Sequence, residues 1–445
     1  MGPRSPRSPT RSPTRSPTTP TTPPRPRRTD PPAPGRRPGC VDRPRPGPQT
    51  GAVSAQPSTT TATATAGAST RAGTLGALAL GADLAHDAVL GTVREVHGAI
   101  GRRVHGREGR VAGLVYAGVG HGLRATSSAL RSADRSLLRA GVGRPLEDST
   151  GGRVALSALN GLFGDRIHER SPGLSISLAV RRGGRDVAPT SDGFAAAFPG
   201  ATGEVVCFLH GLGETEDVWR LREREAGTSY PERLAGLGWT PVQLRANSGL
   251  TLAENGVALA SLLGDLVAAW PVPVRRLALV GHSMGGLIVR SACAVSSSAG
   301  PWQHLVTDVV TLGTPHLGAP IARALTAGSA GLSLLPESAP FGRFLDHRSA
   351  GILDLRDGLP RDVRNLPHAR YHLVAGTLAR SPRHPVSQVV GDLLVRYPSA
   401  TGRDRRGAEM FPGADVLHVP GADHFALLNH PDVHRALESW LSLRR

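Results

Sequence analysis

No lysine occurs in this chain of 445 residues, and all 52 basic side chains are arginine. A phosphate-cradling P-loop needs a lysine, and a Schiff base or a Ser–Lys dyad needs an amine, so those chemistries are excluded. Cysteine is also scarce, with only Cys40, Cys207 and Cys293. The odd count, the wide spacing and the lack of C-x-x-C or H-E-x-x-H argue against a disulfide framework or a zinc site, and no metal or organic cofactor is expected. Cys207 sits in an apolar strand-like run and Cys293 in a helix-like one, so both read as small core residues. Aromatic residues make up 4% of the chain. That is too few for the stacking face of a nucleic-acid binder, and no nucleic-acid partner is expected. No stretch reaches the ~18 consecutive apolar residues of a transmembrane helix. The segment 75–93 comes nearest, but Asp83, His86 and Asp87 interrupt it. Met1 is followed by Pro, Arg, Ser and Thr instead of the apolar run of a secretory signal, which gives a cytoplasmic expectation.

Charge of one sign is concentrated at the start. The net charge is +17, and residues 1–50 hold 11 Arg against 2 acidic residues, so about half the excess lies in a short tail. Sixteen of those 50 residues are Pro, and Arg-Ser-Pro-Thr repeats from Arg7 to Thr18. Such a segment cannot bury enough apolar surface to offset chain entropy, so residues 1–70 are expected to be a disordered tail. Residues 71–165 are expected to be helical. Val89, Val93, Val96, Ile100 and Val104 recur every three or four positions with Arg94, Glu95, Arg102 and Arg103 opposite. Val111, Val115 and Val119 suggest a second helix, and Leu130, Leu137 and Leu138 a third. This segment fits either a layer packed on the main domain or an arm that contacts a membrane surface. His86, His97, His105 and His121 lack ligand-type spacing there.

From about residue 170 the pattern becomes strands alternating with helices. Leu174, Ile176, Leu178 and Val180 alternate with period two, as in an edge strand. Six apolar runs follow: Val205–Leu209, Val242–Leu244, Leu277–Val280, Val306–Leu312, Tyr371–Ala375 and Val416–Val419. Continuous apolar runs of this length mark parallel strands buried on both faces. Between two of them, Leu259, Leu262, Leu263 and Leu266 fall at helical spacing. The expected domain spans 166–445, a mostly parallel sheet with helices on both faces. An insertion at about 320–368 is expected to form a helical cap, with Leu332, Leu334, Leu335, Phe341, Phe344 and Leu345 as its apolar residues. Of these, Leu334 and Leu335 are the candidate acyl-pocket lining.

Gly281-His282-Ser283-Met284-Gly285 has the form G-x-S-x-G. Such a pentapeptide arises easily by chance in a chain with 55 Gly. Its context makes it informative: a short buried strand precedes it and a helix pattern follows. A strand–Ser–helix turn holds the hydroxyl clear of the sheet, at the positive end of a helix dipole. Upstream, the run Val205–Leu209 leads into His210-Gly211-Leu212-Gly213. The loop after that strand supplies one oxyanion N–H, assigned to Leu212, and the residue after the nucleophile supplies the other, Met284. A general base is needed after the last strand, where His424 lies in Gly421-Ala422-Asp423-His424-Phe425. His418 and His430 fall within the strand and near the helix start. The acid belongs between Ser283 and His424, after the run Tyr371–Ala375; Asp392 is the first choice, Asp404 the second and Asp415 the third.

These motifs together resemble bacterial lipase- and esterase-like α/β-hydrolases, in the broad grouping that includes PGAP1-like proteins. The matching stretches are His210-Gly211-Leu212, Gly281 to Gly286, Thr311-Leu312-Gly313-Thr314-Pro315-His316-Leu317-Gly318, and Gly421 to Phe425. They span residues about 155–445 and leave 1–154 uncovered. The resemblance implies the α/β-hydrolase fold and a carboxylic-ester hydrolase with Ser283, Asp392 and His424 as its triad. A small-molecule or lipid ester is the implied partner. His316 belongs to a structural turn of that grouping, and the acid there commonly sits in Asp-Gly-Val-Val-Pro, whereas here Leu393, Leu394 and Val395 follow Asp392. An acyltransferase or thioesterase on the same fold, or a non-catalytic binding protein on a hydrolase scaffold, are the alternatives.

Overall fold

The computed structural model describes residues 73–85, 127–140, 145–295, 302–319, 349–360, 362–404 and 406–442, with Gly2 and Ala125 as isolated positions. The chain divides into two units, Met1–Thr63 and Ala64–Arg445, and everything described below belongs to the second. The tail, the helices expected over 89–104 and 111–119, and Leu332, Leu334, Leu335, Phe341, Phe344 and Leu345 lie outside the described residues. Within the N-terminal segment, α1 spans Thr74–Ala85. Residues 127–139 are helical, matching the third expected helix.

Every residue of the run Glu204–Leu209 is buried, as a strand covered on both faces requires. Val205, Cys207 and Leu209 face one apolar layer, while Val206 and Phe208 face another. It is one of eight strands that form a single sheet among the described residues: β1 (Ala179–Arg182), β2 (Arg185–Val187), β3 (Glu204–Leu209), β4 (Thr240–Arg245), β5 (Arg276–His282), β6 (Val306–Leu312), β7 (Arg370–Thr377) and β8 (Asp415–Pro420). Their order is β2-β1-β4-β3-β5-β6-β7-β8. Strand β1 runs antiparallel to both its neighbours, and the pairings from β4 through β8 are parallel. All six apolar runs read from the sequence lie in β3 to β8.

The first strand differs from its expectation. Leu174 lies in a short 3-10 turn, and β1 begins only at Ala179. Leu174 and Ile176 are nonetheless buried, packed on Leu156 and Ile167 of α2 (Thr150–Arg170). The Asn160 amide of α2 donates to the Leu174 carbonyl at 2.8 Å and its Oδ1 accepts the Ile176 N–H at 3.0 Å. A side chain thus replaces the neighbouring strand, so period-two burial appears without a ladder.

Helices cover both faces. On one lie α3 (Leu252–Ala269) and α4 (Met284–Ala294), with Leu259, Leu263, Leu266, Leu287 and Ile288 buried against the sheet. On the other, α6 (Pro431–Trp440) presents Val433 and Leu437. Helix α3 starts at a capping box in which Thr251 and Glu254 satisfy each other's backbone N–H. It is long and apolar enough by composition to cross a membrane. Its leucines, however, fill the core. Cys207 and Cys293 are buried too, and burial pushes both thiols up to about 12.

The boundary expected at residue 165 falls inside α2. Small residues seat that helix on the loops after β3 and β4: a Cβ on Gly161 would come within 2.9 Å of Gly213 Cα, and one on Gly164 within 2.0 Å of Asn247 Oδ1 and 2.9 Å of Gly249 Cα. The Ser349 hydroxyl, at the start of α5 (Ala350–Asp357), donates to the Gly161 carbonyl at 2.6 Å. Gly164→Val is therefore expected to destabilise the domain by about 1–3 kcal/mol, the usual cost of overpacking. Chemical denaturation of both proteins checks this; an unchanged midpoint would show that α2 is not seated on Asn247.

Candidate active site

The junction of β5 and α4 carries the nucleophile candidate. Ser283 is the N-cap of α4, with φ 52° and ψ −124°. A non-glycine residue in this region is strained, and such strain persists only where the surroundings over-determine it. Here they do. The Ser283 N–H donates to the Leu312 carbonyl of β6 at 2.8 Å, and the Gly286 N–H donates to the Ser283 carbonyl at 3.1 Å. The flanking glycines permit the crossing. A Cβ on Gly281 would lie 2.5 Å from Gly286 Cα, and one on Gly285 2.4 Å from the His210 carbonyl oxygen.

His424 follows β8, and its ring is almost wholly buried. Its Nδ1 donates to Asp392 Oδ2 at 2.8 Å. The other carboxylate oxygen, Oδ1, accepts the N–H groups of Leu394 at 3.0 Å and Val395 at 2.7 Å. The Asp392 carbonyl accepts the His424 N–H at 2.9 Å, so backbone as well as side chains join the two. His424 Nε2 is buried and has no hydrogen-bond partner among the described residues. Ser283 and His424 meet the same short stretch of chain. Leu312 accepts the Ser283 N–H, and a Cβ on the next residue, Gly313, would lie 3.0 Å from His424 Cε1. Gly313 has φ 58°, so backbone and neighbour both call for glycine there.

The other candidates lie elsewhere. Asp404 Oδ1 accepts the N–H groups of Arg406 and Ala408 and so closes its own turn. Asp415 is exposed at the start of β8, 2.9 Å from His372 Nδ1. His418 Nε2 is 2.7 Å from the Thr377 hydroxyl, and His430 caps α6. His316 is buried between Thr311 and Arg290, and burial together with the arginine holds its imidazole well below the ordinary range. It is a structural residue of the Gly313–Gly318 turn. Leu334 and Leu335, the expected pocket lining, lie outside the described residues.

The loop after β3 holds three successive amides in different states. The Gly211 N–H donates to Glu214 Oε2 at 2.7 Å and the Gly213 N–H to Ser248 Oγ at 2.8 Å. The Leu212 N–H between them has no acceptor among the described residues. As the first residue of α4, Met284 likewise has no intrahelical acceptor for its N–H. His210 braces the loop: Nε2 accepts the Ala246 N–H at 3.1 Å, which leaves Nδ1 to donate to the Gly211 carbonyl at 2.9 Å. Burial lowers this imidazole's pKa, in keeping with a neutral ring.

Two residues of this centre were not singled out from the sequence. Glu214 Oε2 also meets His282 Nδ1 at 3.0 Å, and the His282 ring lies 4.8 Å from the His424 ring, centroid to centroid. Burial alone would push Glu214 up and His282 down. Their mutual attraction outweighs it, holding the carboxyl below and the imidazole above its ordinary range. The only sequence signal was a carboxylate inside a glycine-rich loop.

The β5–Ser283–α4 elbow, the parallel strands β3 to β8 and the late His424 make this the α/β-hydrolase fold. Residues 243–328 match the family described as "PGAP1-like alpha/beta domain". No curated protein matches the sequence. Among solved structures, 54% of this chain aligns with 92% of a mature Bacillus licheniformis lipase, at 21% identity and TM-score 0.40. Against the propeptide form of that lipase, 54% of this chain covers 51%, at 19% identity and TM-score 0.39. A Bacillus subtilis carboxylesterase is aligned over 54% of this chain and 83% of its own, at 14% identity and TM-score 0.32.

Proposed function

We propose that this protein is a serine hydrolase that cleaves carboxylic esters through an acyl-enzyme. The observation that carries the reading is the buried Asp392–His424 pair, whose Nε2 has no partner among the described residues, beside a serine locked in a strained turn. Ser283 Oγ attacks the ester carbonyl and His424 Nε2 takes its proton. Asp392 holds the Nδ1–H tautomer and stabilises the imidazolium. The Leu212 and Met284 N–H groups receive the oxyanion, and protonated His424 then returns its proton to the leaving alcohol. Water deacylates the enzyme by the reverse sequence. The absence of a Ser283–Nε2 hydrogen bond is compatible with this, because catalytic hydrogen bonds often tighten only with substrate bound.

A panel of 4-nitrophenyl esters from acetate to dodecanoate tests the reading. Turnover of at least one ester, abolished by fluorophosphonate pretreatment, is expected; no turnover across the panel, with no labelling, would overturn it. Medium chains are expected to outrun acetate, because each acyl methylene buried against an apolar wall contributes about 0.8 kcal/mol. The leucines proposed for that wall are Leu334 and Leu335. Replacing both with Ser should flatten the chain-length profile of kcat/KM while acetate hydrolysis persists. A wild type that prefers acetate to octanoate would end the acyl-wall idea. Rapid acyl transfer to added alcohols or thiols in place of water would favour the acyltransferase reading of the same acyl-enzyme.

A further inference from the structure

We propose that Glu214, paired with His282, is the positioning residue that aims the Leu212 N–H into the oxyanion site. This inference rests on the ester-hydrolase reading above. Three features of the loop carry it. First, Glu214 Oε2 takes the Gly211 N–H at 2.7 Å, immediately before Leu212. A Cβ on Gly211 would fall 2.9 Å from Ser283 Cβ and 3.1 Å from Glu214 Oε2, so the carboxylate grips the loop where it touches the nucleophile. Second, the anchor is itself held. The Glu214 carbonyl accepts the Ser157 hydroxyl of α2, and Ser248 fixes Gly213 from the far side of Leu212. Leu212 is thus the one amide of the three with no acceptor among the described residues, clamped on both sides.

Third, the carboxylate has a partner. A bare carboxylate in this position would oppose the negative charge that develops on the substrate oxygen. His282 Nδ1 meets Glu214 Oε2 at 3.0 Å, and the attraction of the carboxylate raises the imidazole's pKa, which favours the compensating cation. It adjoins Ser283 in sequence, and its Nε2 is 3.5 Å from the His424 carbonyl, so one imidazole ties the loop, the elbow and the base together. A buried ion pair seldom adds net stability, because desolvation offsets the attraction. Its value here is geometric and electrostatic.

The test compares wild type, Glu214→Ala and Glu214→Gln on one ester, with inhibition by a trifluoromethyl ketone that forms a hemiketal oxyanion on Ser283. Alanine removes both the acceptor for Gly211 and the charge. Glutamine keeps an acceptor. For Glu214→Ala, kcat should fall by about 10²-fold, the lower end of the effect of deleting an oxyanion donor, with KM nearly unchanged. Ketone affinity should fall in parallel, because it reports the oxyanion and not the ground state. Glu214→Gln should recover most of both losses. Melting curves accompany each protein. Equal kcat and ketone affinity in wild type and Glu214→Ala would overturn the inference. So would a glutamine variant as impaired as the alanine one with both unfolded, since the loss would then be structural. A wild type inert to esters and ketone alike would sink the ester-hydrolase reading and this inference with it, which an active wild type distinguishes at once.

Discussion

Ser283→Ala is expected to lower ester hydrolysis by roughly 10⁶-fold, the scale on which removal of a serine nucleophile acts. In the proposed mechanism the acyl bond forms at Ser283 Oγ, with His424 Nε2 taking its proton. The substitution should leave the fold intact. Ser283 is held by its backbone, through the Leu312 and Gly286 hydrogen bonds, and an alanine meets the same φ of 52° at about the same cost. Covalent labelling by a fluorophosphonate should disappear with the activity. Ser248 is the informative control, because its hydroxyl lies in the same loop cluster yet is already committed as the acceptor of the Gly213 N–H. Labelling that persists in Ser283→Ala, mapped by mass spectrometry to Ser248 or another serine, would show the nucleophile to be misassigned.

How much of this was legible beforehand depended on the kind of contact. Strands β3 to β8 are buried on both faces, so their residues read as unbroken apolar runs that hardly depend on neighbours. The positions of Ser283, Asp392 and His424 followed from the ends of three such strands, because the fold brings the ends of β5, β7 and β8 to one edge of the sheet. The first strand was misjudged for a physical reason. Leu174 and Ile176 alternate toward α2, and Asn160 supplies the hydrogen bonds a strand would have given. The Glu214–His282 pair could not be read at all, since its members are 68 residues apart and meet only once the loop after β3 folds back on the elbow. The seating of α2 was hidden for a similar reason. Gly161 and Gly164 look like helix-weakening residues in the sequence, yet they are what lets the helix approach Gly213 and Asn247.

Asp392→Asn is expected to lower kcat by about 10⁴-fold, as loss of the triad acid does in a serine protease, with little change in KM. The local hydrogen bonds explain why an isosteric change should be so damaging. Oδ1 accepts two backbone N–H groups, from Leu394 and Val395. An asparagine amide must keep its oxygen there, because its NH₂ would meet two donors. The NH₂ is then forced toward His424 Nδ1, where the carboxylate oxygen stood at 2.8 Å. A donor facing Nδ1 selects the tautomer protonated on Nε2. That ring presents a proton to Ser283 where it should accept one, and it lacks the carboxylate that stabilises the imidazolium. The defect lies in the chemical step, so substrate binding should be nearly untouched. Asp392→Ala offers a contrast, because it removes the forced donor and leaves the ring free to take either tautomer. It should therefore be no worse than asparagine in kcat, although it opens a cavity beneath His424 and should melt earlier. Asp404→Asn should be mild, since an asparagine oxygen can still accept the Arg406 and Ala408 N–H groups that close that turn. Measuring kcat and KM for the three variants beside wild type decides the matter. A crippled Asp404→Asn together with a mild Asp392→Asn would move the acid to Asp404 and undo the assignment.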